Sequence, residues 1–435
     1  MNKLTRTRRK ELRLPELIAV ALGGMVGGGI FAILGVSVEQ IGNTTPVAIL
    51  IGGVLAFFAA YSYVKLALLY KDEGATYSFY KKTFPHNYLA ASVIGWLIVF
   101  GYISTLALYA FTFASYFCSQ FAFLYHPWGN KLVAGLIITI FAVINLISVR
   151  GMGRIEDFLV YTKIIILLFI SGLLFGEGDI QNTLPLIEQG TTLPSILIVS
   201  AITFVAYEGF QLVIHAYDEM ENPQKNIPRA IYSSIIIATL FYTALAVAAL
   251  TVIPKADLIA DKEYALAAGA AKFLGSWGHI IVILGALLAT SSAISGTLFG
   301  ASRLMAVIAR DGYLPAILAR KIKFYIPANA IILMSLMAFI LVLSGTLQVI
   351  LEFGSITFIL VSLLMAYANF VRRVQTNTPY FLAILTMVSL LVAGILIFIF
   401  EWQENREQLA FILGIYALLA IGAVVYSRKK KAMKS

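Results

Sequence analysis

The stretch Gly23-Gly24-Met25-Val26-Gly27-Gly28-Gly29-Ile30-Phe31 lies in the middle of the first long apolar segment of the chain. Three consecutive glycines cost a helix about 1 kcal/mol each relative to alanine. Two interpretations are open. The glycine pairs at a spacing of four residues are typical of helices that pack closely. Alternatively, the helix breaks here and exposes backbone N–H groups to an anionic ligand. A phosphate-binding loop is disfavoured, because no strand precedes the glycines.

A second irregularity lies in the sixth apolar segment, at Ala206-Tyr207-Glu208-Gly209-Phe210. An ionisable residue at membrane depth costs several kcal/mol unless it faces a cavity or a partner. Glu208 is therefore paired by a neighbouring tyrosine or lysine, or it takes part in a binding site. The two irregular segments are five segments apart, so a five-helix repeat would cross the membrane in opposite directions in its two copies. Interrupted helices at corresponding positions of inverted halves indicate a substrate site at the membrane midplane.

The composition explains why a membrane is expected at all. The chain has 435 residues, of which 60% are hydrophobic and only 12% are charged, whereas a soluble domain carries roughly 25% charged residues. A spanning helix needs about 20 mostly apolar residues, and backbone groups in hydrocarbon must be bonded within the helix. We therefore predict an all-α integral membrane protein with twelve helices, at about 14–35, 46–70, 88–118, 132–149, 155–176, 194–217, 230–253, 277–300, 326–345, 347–371, 380–400 and 408–426.

The net charge of +10 does not indicate a nucleic-acid partner, because the charges form short clusters between apolar runs. Most of the 32 lysines and arginines fall at the two ends of the chain and in alternate loops. Positive charge marks the cytoplasmic side, so we predict a multi-pass protein of the cell membrane with both termini in the cytoplasm. Cys118 is the single cysteine and excludes an internal disulfide. The four histidines share no metal-ligand spacing, so we predict no metal, no cofactor and no enzyme.

These patterns divide the chain without any linker. The predicted parts are a basic cytoplasmic N-terminus at 1–13, a first five-helix repeat at 14–176, a second inverted repeat at 194–371, accessory helices 11 and 12 at 380–426, and a basic cytoplasmic tail at 427–435.

Five stretches of the sequence resemble the amino acid–polyamine–organocation (APC) superfamily of transporters. They are GGMVGGGIF (23–31), AYSYVKLALLYKDEGATYSFY (60–80), GRIEDFLVYTK (153–163), AYEGFQLVIHAYDEMENPQKNIPRAI (206–231) and SSAISGTLFGASRLMAVIARDGYLP (291–315). The resemblance covers most of the chain from helix 1 to helix 10. It implies the LeuT-type inverted repeat with broken helices 1 and 6, and it implies an amino acid permease, similar to the proton-coupled broad-specificity and cationic amino acid transporter-like members.

The resemblance also implies where a substrate binds. The α-carboxylate of the amino acid would dock on the backbone amides of Gly28 and Gly29, with Ile30 just beyond. The α-amino group would meet the carbonyls of Met25, Val205 and Glu208. Gly209 would lie in the second break, and an aromatic lid would come from Phe204, Tyr207 and Phe210. Ordinary packing remains the alternative for each of these aromatic side chains.

The chain departs from the family at Gln211, where an acidic residue is common. The acid instead precedes the glycine, as Glu208, and would favour a cationic side chain or titrate. Lys163 lies about eight residues into helix 5. It either snorkels to the interface or, as in some proton-coupled relatives, replaces a sodium ion and carries the proton. Ser291 and Ser292 would either ligate sodium or bond Lys163.

We therefore expect a secondary active amino acid transporter that works by alternating access, with an amino acid as substrate, a proton as coupling ion and the lipid bilayer as its surroundings. An amino acid exchanger and a non-transporting amino acid sensor on the same scaffold remain alternatives. A membrane-embedded enzyme would need a paired set of catalytic residues, and a channel would need a ring of charges or a filter. The sequence shows neither. Which amino acid is carried and the oligomeric state stay undetermined.

Overall fold

The computed structural model describes residues 12–124, 126–147, 149–260, 264–273, 275–320 and 326–432. The regular elements in these residues are helices, and one isolated parallel bridge joins Leu12 to Met220. The α-helices are α1 Leu14–Met25, α2 Gly28–Ile41, α3 Thr45–Tyr70, α4 Ala75–Thr83, α5 Tyr88–Cys118, α6 Pro127–Ile147, α7 Val149–Glu177, α8 Leu193–Ile202, α9 Pro223–Val252, α10 Lys255–Ala260, α11 Ala265–Phe273, α12 Gly275–Arg310, α13 Ala328–Ser344, α14 Leu347–Val371, α15 Tyr380–Glu404 and α16 Arg406–Ala432. Most of the predicted basic N-terminus and the end of the predicted basic tail lie outside the described residues.

The described helices confirm a multi-pass membrane protein. Nine helical stretches in the described residues are long and apolar enough to span a bilayer: Gly28–Tyr70, Tyr88–Cys118, Pro127–Ile147, Leu193–Glu219, Pro223–Val252, Gly275–Arg310, Leu347–Val371, Tyr380–Glu404 and Arg406–Ala432. Shorter apolar helices lie at Leu14–Met25, Val160–Gly176 and Ala328–Ser344. Each of the twelve predicted segments thus contains helix in the residues that the structure describes, although the number that span the membrane stays a prediction.

The first predicted segment is two helices. Helix α1 ends at Met25, and Val26 and Gly27 leave the helical conformation with ψ angles of 75° and −147° before α2 begins at Gly28. Helix α2 then continues to Ile41, beyond the predicted end of the segment at residue 35. The glycine run therefore contains a real break in the backbone.

The sixth predicted segment is also interrupted. Helix α8 ends at Ile202 and is followed by the 3-10 turns Thr203–Tyr207 and Phe210–Glu219. Between these turns Glu208 is extended, with ψ 136°, and Gly209 has a φ of 130°. Residues that have a Cβ atom rarely adopt such a φ angle, whereas glycine adopts it readily. The sequence Glu208-Gly209 therefore marks the second break.

The loops predicted to face the cytoplasm gather at one end of the bundle. There, Lys81 Nζ lies 2.5 Å from Asp311 Oδ2 and Arg13 Nε lies 3.7 Å from Glu221 Oε2. At the opposite end, Lys255 Nζ lies 2.7 Å from Glu188 Oε1. This grouping agrees with the alternation of basic loops along the chain, and the side of the membrane that each end faces stays a prediction.

Two carboxylates outside the membrane-spanning helices are stabilised in their ionised form. The Lys255 ammonium and the Asn43 amide lower the pKa of Glu188 below its ordinary value. Burial raises the pKa of Asp72, but hydrogen bonds from Lys82 and from the Gly74 amide outweigh burial and hold the pKa below its ordinary value. Each end of the bundle thus has a local polar contact that needs charged partners.

Candidate functional site

The two helix breaks touch each other at backbone distance. A Cβ atom on Gly24 would lie 3.1 Å from both Cα and the carbonyl oxygen of Gly209, and a Cβ atom on Gly209 would clash with the backbone of Gly24 and Met25. A Cβ atom on Gly29 would lie 3.1 Å from Ala206 Cα. The glycines therefore both allow close packing and accompany a break in the helix, and the close approach brings the two breaks together, whereas the binding of an anionic ligand there stays a prediction.

The first turn of α2 contains the backbone N–H groups predicted to bind a substrate carboxylate. The N–H groups of Gly28, Gly29 and Ile30 have no carbonyl partner in a preceding helical turn, and no side chain caps this end of the helix. Helix N-termini carry partial positive charge and bind anions. Thr112 and Thr290 pack against the start of α2, since a Cβ atom on Gly28 would lie 3.2 Å from Thr112 Cβ and 3.0 Å from Thr290 Cγ2.

All eight residues of the predicted substrate site are buried in this structure: Met25, Gly28, Gly29, Ile30, Val205, Glu208, Gly209 and Phe210. The structure thus brings together, in the centre of the bundle, two groups of residues that lie far apart in the sequence. A ligand held there would be shielded from water, which strengthens each hydrogen bond that it makes.

Tyr242 bridges both breaks, although the sequence analysis did not single it out. Its hydroxyl group lies 2.7 Å from the Met25 carbonyl oxygen and 3.1 Å from that of Ala206. The Met25 oxygen also accepts a hydrogen bond from Gly27 N at 2.9 Å, and Val205 O accepts one from Glu208 N at 3.2 Å. A bound amino group would therefore share these carbonyls with the protein's own donors. The feature of the sequence that could have pointed to Tyr242 is the presence of a tyrosine hydroxyl within the apolar helix α9.

Glu208 is buried, with 2% of its surface exposed, and its hydrogen-bond partner is Gln211 rather than the tyrosine or lysine considered from the sequence. Gln211 Nε2 donates to Glu208 Oε2 at 2.8 Å and lies 3.2 Å from the Tyr102 hydroxyl. No donor among the described residues bonds the other oxygen, Oε1. The two residues at which the chain departs from the family pattern, Glu208 and Gln211, thus form a hydrogen bond with each other.

The aromatic side chains of the second break are all fully buried. The Tyr207 hydroxyl donates to the Ile49 carbonyl oxygen of α3 at 2.7 Å. The ring of Phe210 packs edge-on against Tyr63 with centroids 5.3 Å apart. Tyr207 and Phe210 thus pack against α3 in this structure, and a lid role for them or for Phe204 stays a prediction.

Lys163 does not snorkel. The residue is completely buried, and its ammonium group donates to the Gly23 carbonyl oxygen at 2.8 Å and to Ser292 Oγ at 3.3 Å. Lys163 on α7 therefore joins α1, three residues before its break, to α12. Of the two roles left open for Ser292, bonding Lys163 is the one that the structure shows. Ser291 is only partly buried.

Apolar spanning helices that are interrupted at two touching breaks are typical of helical membrane transporters. The sequence model described as amino acid permease matches residues 12–427. The chain therefore belongs to the amino acid permease family, within the superfamily that the five sequence stretches indicated.

Relatives of this chain extend over nearly its whole length. It is 29% identical to the inner membrane transport protein YbaT of Escherichia coli, over 99% of each chain. It is 28% identical to the chloroplastic cationic amino acid transporter 6 of Arabidopsis thaliana, over 96% of this chain and 75% of that one. It is 26% identical to the methylthioribose transporter of Bacillus subtilis, over 94% and 91% of the two chains.

Proposed function

We propose that this permease is a secondary active amino acid transporter that works by alternating access. In this proposal the helices form twelve spans. The spans of residues 14–176 and 194–371 make a LeuT-type inverted repeat, helices at 380–426 are accessory, and both termini lie in the cytoplasm at the cell membrane. The observation that carries the proposal is the contact between the two breaks, in which Gly24 lies against Gly209 and Gly29, in the first turn of α2, lies against Ala206.

The α-carboxylate of the substrate binds the free N–H groups at the start of α2, where the helix dipole adds to the hydrogen bonds. The α-amino group binds the carbonyls of Met25, Val205 and Glu208. Because these are all backbone groups, they recognise the common core of an amino acid and leave its side chain to other residues.

Glu208 gives the pocket its preference for the substrate side chain. Its Oε1 atom lacks a donor among the described residues, and a buried carboxylate without a full set of donors is costly. A cationic substrate side chain would supply that donor. The relative named as a cationic amino acid transporter supports this preference, and Glu208→Gln is expected to lower uptake of lysine and arginine more than uptake of neutral amino acids.

Lys163 couples transport to protons. In the charged form its ammonium group bonds Gly23 and Ser292 and holds α1 against α12. A neutral amine has lost one donor and its charge, so it holds the carbonyl less strongly and lets α1 move. The ammonium thereby does the work of a bound cation, and the transport cycle needs no sodium.

Uptake of a panel of radiolabelled amino acids into proteoliposomes tests the proposal, with and without an inward proton gradient in sodium-free buffer. Accumulation that requires the gradient is the expected result. Uptake driven only by internal amino acid would replace symport by exchange. Saturable binding of an amino acid without any flux would contradict transport and favour a sensor.

A further inference from the structure

Two buried glutamates lie outside the substrate site and outside the contacts of Lys163. Glu352 is on α14 and Glu401 is on α15, and both are completely buried. Helix α14 begins and α15 ends on the same side of the bundle, so the two antiparallel helices bring these residues to the same depth. Glu352 lies five residues into α14, which is roughly 8 Å along the helix axis at 1.5 Å per residue.

The two carboxyl groups lie within hydrogen-bond reach of each other. Gln348 Nε2 donates to Glu352 Oε1 at 2.8 Å. Neither Glu352 Oε2 nor either oxygen of Glu401 receives a hydrogen from any described residue. The unpaired carboxyl oxygens of Glu352 and Glu401 can only accept hydrogen bonds, and no described residue donates a hydrogen to them.

The other ionisable groups near this pair do not supply it. Helix α8, which packs on α15, carries no titratable side chain in its sequence LPSILIVSAI. Titratable or charged groups on the remaining packed helices include some that bond other residues and some that are exposed: Tyr416 with Thr357, Tyr102 with Gln211, Arg406 with the Trp402 carbonyl, Lys65 with the Asn377 carbonyl, and Glu404 and Glu407 in exposed positions. Within the described chain each glutamate is the other's charged neighbour.

We propose that Glu352 and Glu401 form a proton-binding pair that holds one proton between its two carboxyl groups. Two carboxylates in hydrogen-bond contact cannot both be ionised away from water, because their repulsion adds to the cost of burying each charge. One proton removes the repulsion and provides the missing hydrogen bond. The proton comes from water and returns to it, and the pair as a whole then carries one negative charge.

Glu352 lies one turn of α14 before Ser355, which contacts the second helix break. Ser355 Oγ donates to the Ile202 carbonyl oxygen at 2.5 Å, at the last residue of α8. A Cβ atom on Gly354 would lie 3.1 Å from Val205 Cγ2. Loss of the shared proton would push α14 and α15 apart at the turn that contacts this break. The molecule therefore has a second proton site, on the opposite side of the breaks from Lys163.

Infrared spectroscopy of the protein in lipid tests the proposal without measuring transport, so the result does not depend on the substrate or on the role of Lys163. A protonated carboxyl group has a carbonyl stretch that an ionised carboxylate lacks. We subtract the spectrum of the double variant Glu352→Gln/Glu401→Gln at about pH 7 from the spectrum of wild type at the same pH. The difference should contain a carbonyl band with the intensity of one carboxyl group. An ordinary glutamate, with a pKa of about 4.3, is ionised at that pH and gives no such band. Glu404→Gln, which changes an exposed acid on the same helix, should leave no band.

Thermal melting keeps the proposal testable if the double variant does not fold. As the pH rises above neutral, the melting temperature of wild type should fall because the shared proton is lost, and Glu401→Gln, which has no acid pair, should show a flatter profile. A difference band with the intensity of no carboxyl group or of two would overturn the proposal. Equal slopes for wild type and Glu401→Gln, or melting that follows an added metal cation at fixed pH, would also overturn it.

Discussion

The first broken helix is held by a charged side chain, whereas the sixth is held by a neutral one. Before the first break, the Lys163 ammonium group donates to the Gly23 carbonyl oxygen at 2.8 Å. Before the second break, the Ser355 hydroxyl donates to the Ile202 carbonyl oxygen at 2.5 Å. Both contacts fix a carbonyl at the end of a half-helix, and in both the donor belongs to another helix of the bundle.

The difference separates two tasks. An ammonium group carries a proton that it can release, so under the proposed coupling role of Lys163 proton transfer switches the contact at the first break. A serine hydroxyl keeps its hydrogen at every physiological pH, so the donor at the second break does not itself titrate. Coupling through a titrating donor is therefore expected at the first break, and Glu208 at the second break is expected to set the preference for the substrate side chain. The following variants test this division, in order of decreasing effect.

Gly209→Ala is expected to have the largest effect, because it changes the point where both breaks meet. A Cβ atom there would clash with the backbone of Gly24 and Met25, and the residue has a φ of 130°. Backbone strain of this kind costs about 1–3 kcal/mol before the clash is counted. Uptake should be lost. Gly300→Ala is the control, because its Cβ atom would meet Leu212 Cδ2 at 3.7 Å, an ordinary contact. Full uptake by Gly209→Ala would show that the breaks separate easily.

Tyr242→Phe removes the hydroxyl group that bridges Met25 and Ala206. Loss of a buried donor costs about 1–3 kcal/mol, so initial uptake should fall roughly tenfold. Tyr207→Phe removes a neighbouring hydroxyl that bonds Ile49 of α3 instead, and it should reduce uptake less. Equal losses in the two variants would mean that the bridge between the breaks has no special role.

Ser355→Ala should have a smaller effect and should leave coupling intact. One neutral hydrogen bond is lost, worth about 0.5–1.5 kcal/mol, so the rate should fall a few-fold while uptake still requires the proton gradient. Ser200→Ala is the control, since that hydroxyl bonds its own helix at Ile196. Uptake by Ser355→Ala that no longer depends on the gradient would contradict the division between the two breaks.

The substitution Glu188→Gln should have the smallest effect of these variants, and it should act on stability. Its pKa is lowered in the folded protein by Lys255 and Asn43, so the contact stabilises the fold at neutral pH and is lost as pH falls below the ordinary value of 4.5. The pair is partly exposed and screened by solvent, and such pairs contribute about 0–1 kcal/mol. The melting temperature of Glu188→Gln should approach that of wild type at acid pH or in high salt. A constant difference across pH would contradict an ionic origin.

The helices could be predicted from the sequence because each needs a long apolar run. The segments 88–118 and 347–371 agree with α5 and α14 at both ends. The end of the first segment was wrong because the apolar run stops before Glu39, whereas α2 continues to Ile41 and is followed by Gly42, which has a φ of 52°. Local backbone geometry ends that helix, and hydrophobicity does not report it.

The site could be predicted only in part, for a related reason. Glycine and acid within an apolar run mark positions of irregular backbone, so both breaks were found. Tyr242 was missed because its partners are backbone carbonyls, and the nearer is 36 positions away in the sequence. Glu401 was missed as a partner of Glu352 because the spacing of two acids on different helices carries no information on whether they meet. Contacts between distant segments require the packing of the bundle.

The most direct test of the coupling role of Lys163 is the proton flux that accompanies the substrate. Proteoliposomes that contain a pH-sensitive dye should acidify when a transported amino acid is added outside wild-type protein. In Lys163→Ala the acidification per molecule of amino acid should disappear, while exchange of labelled for unlabelled substrate continues and shows that the protein is folded. Unchanged acidification per transported molecule in Lys163→Ala would contradict the assignment of Lys163 as the proton carrier.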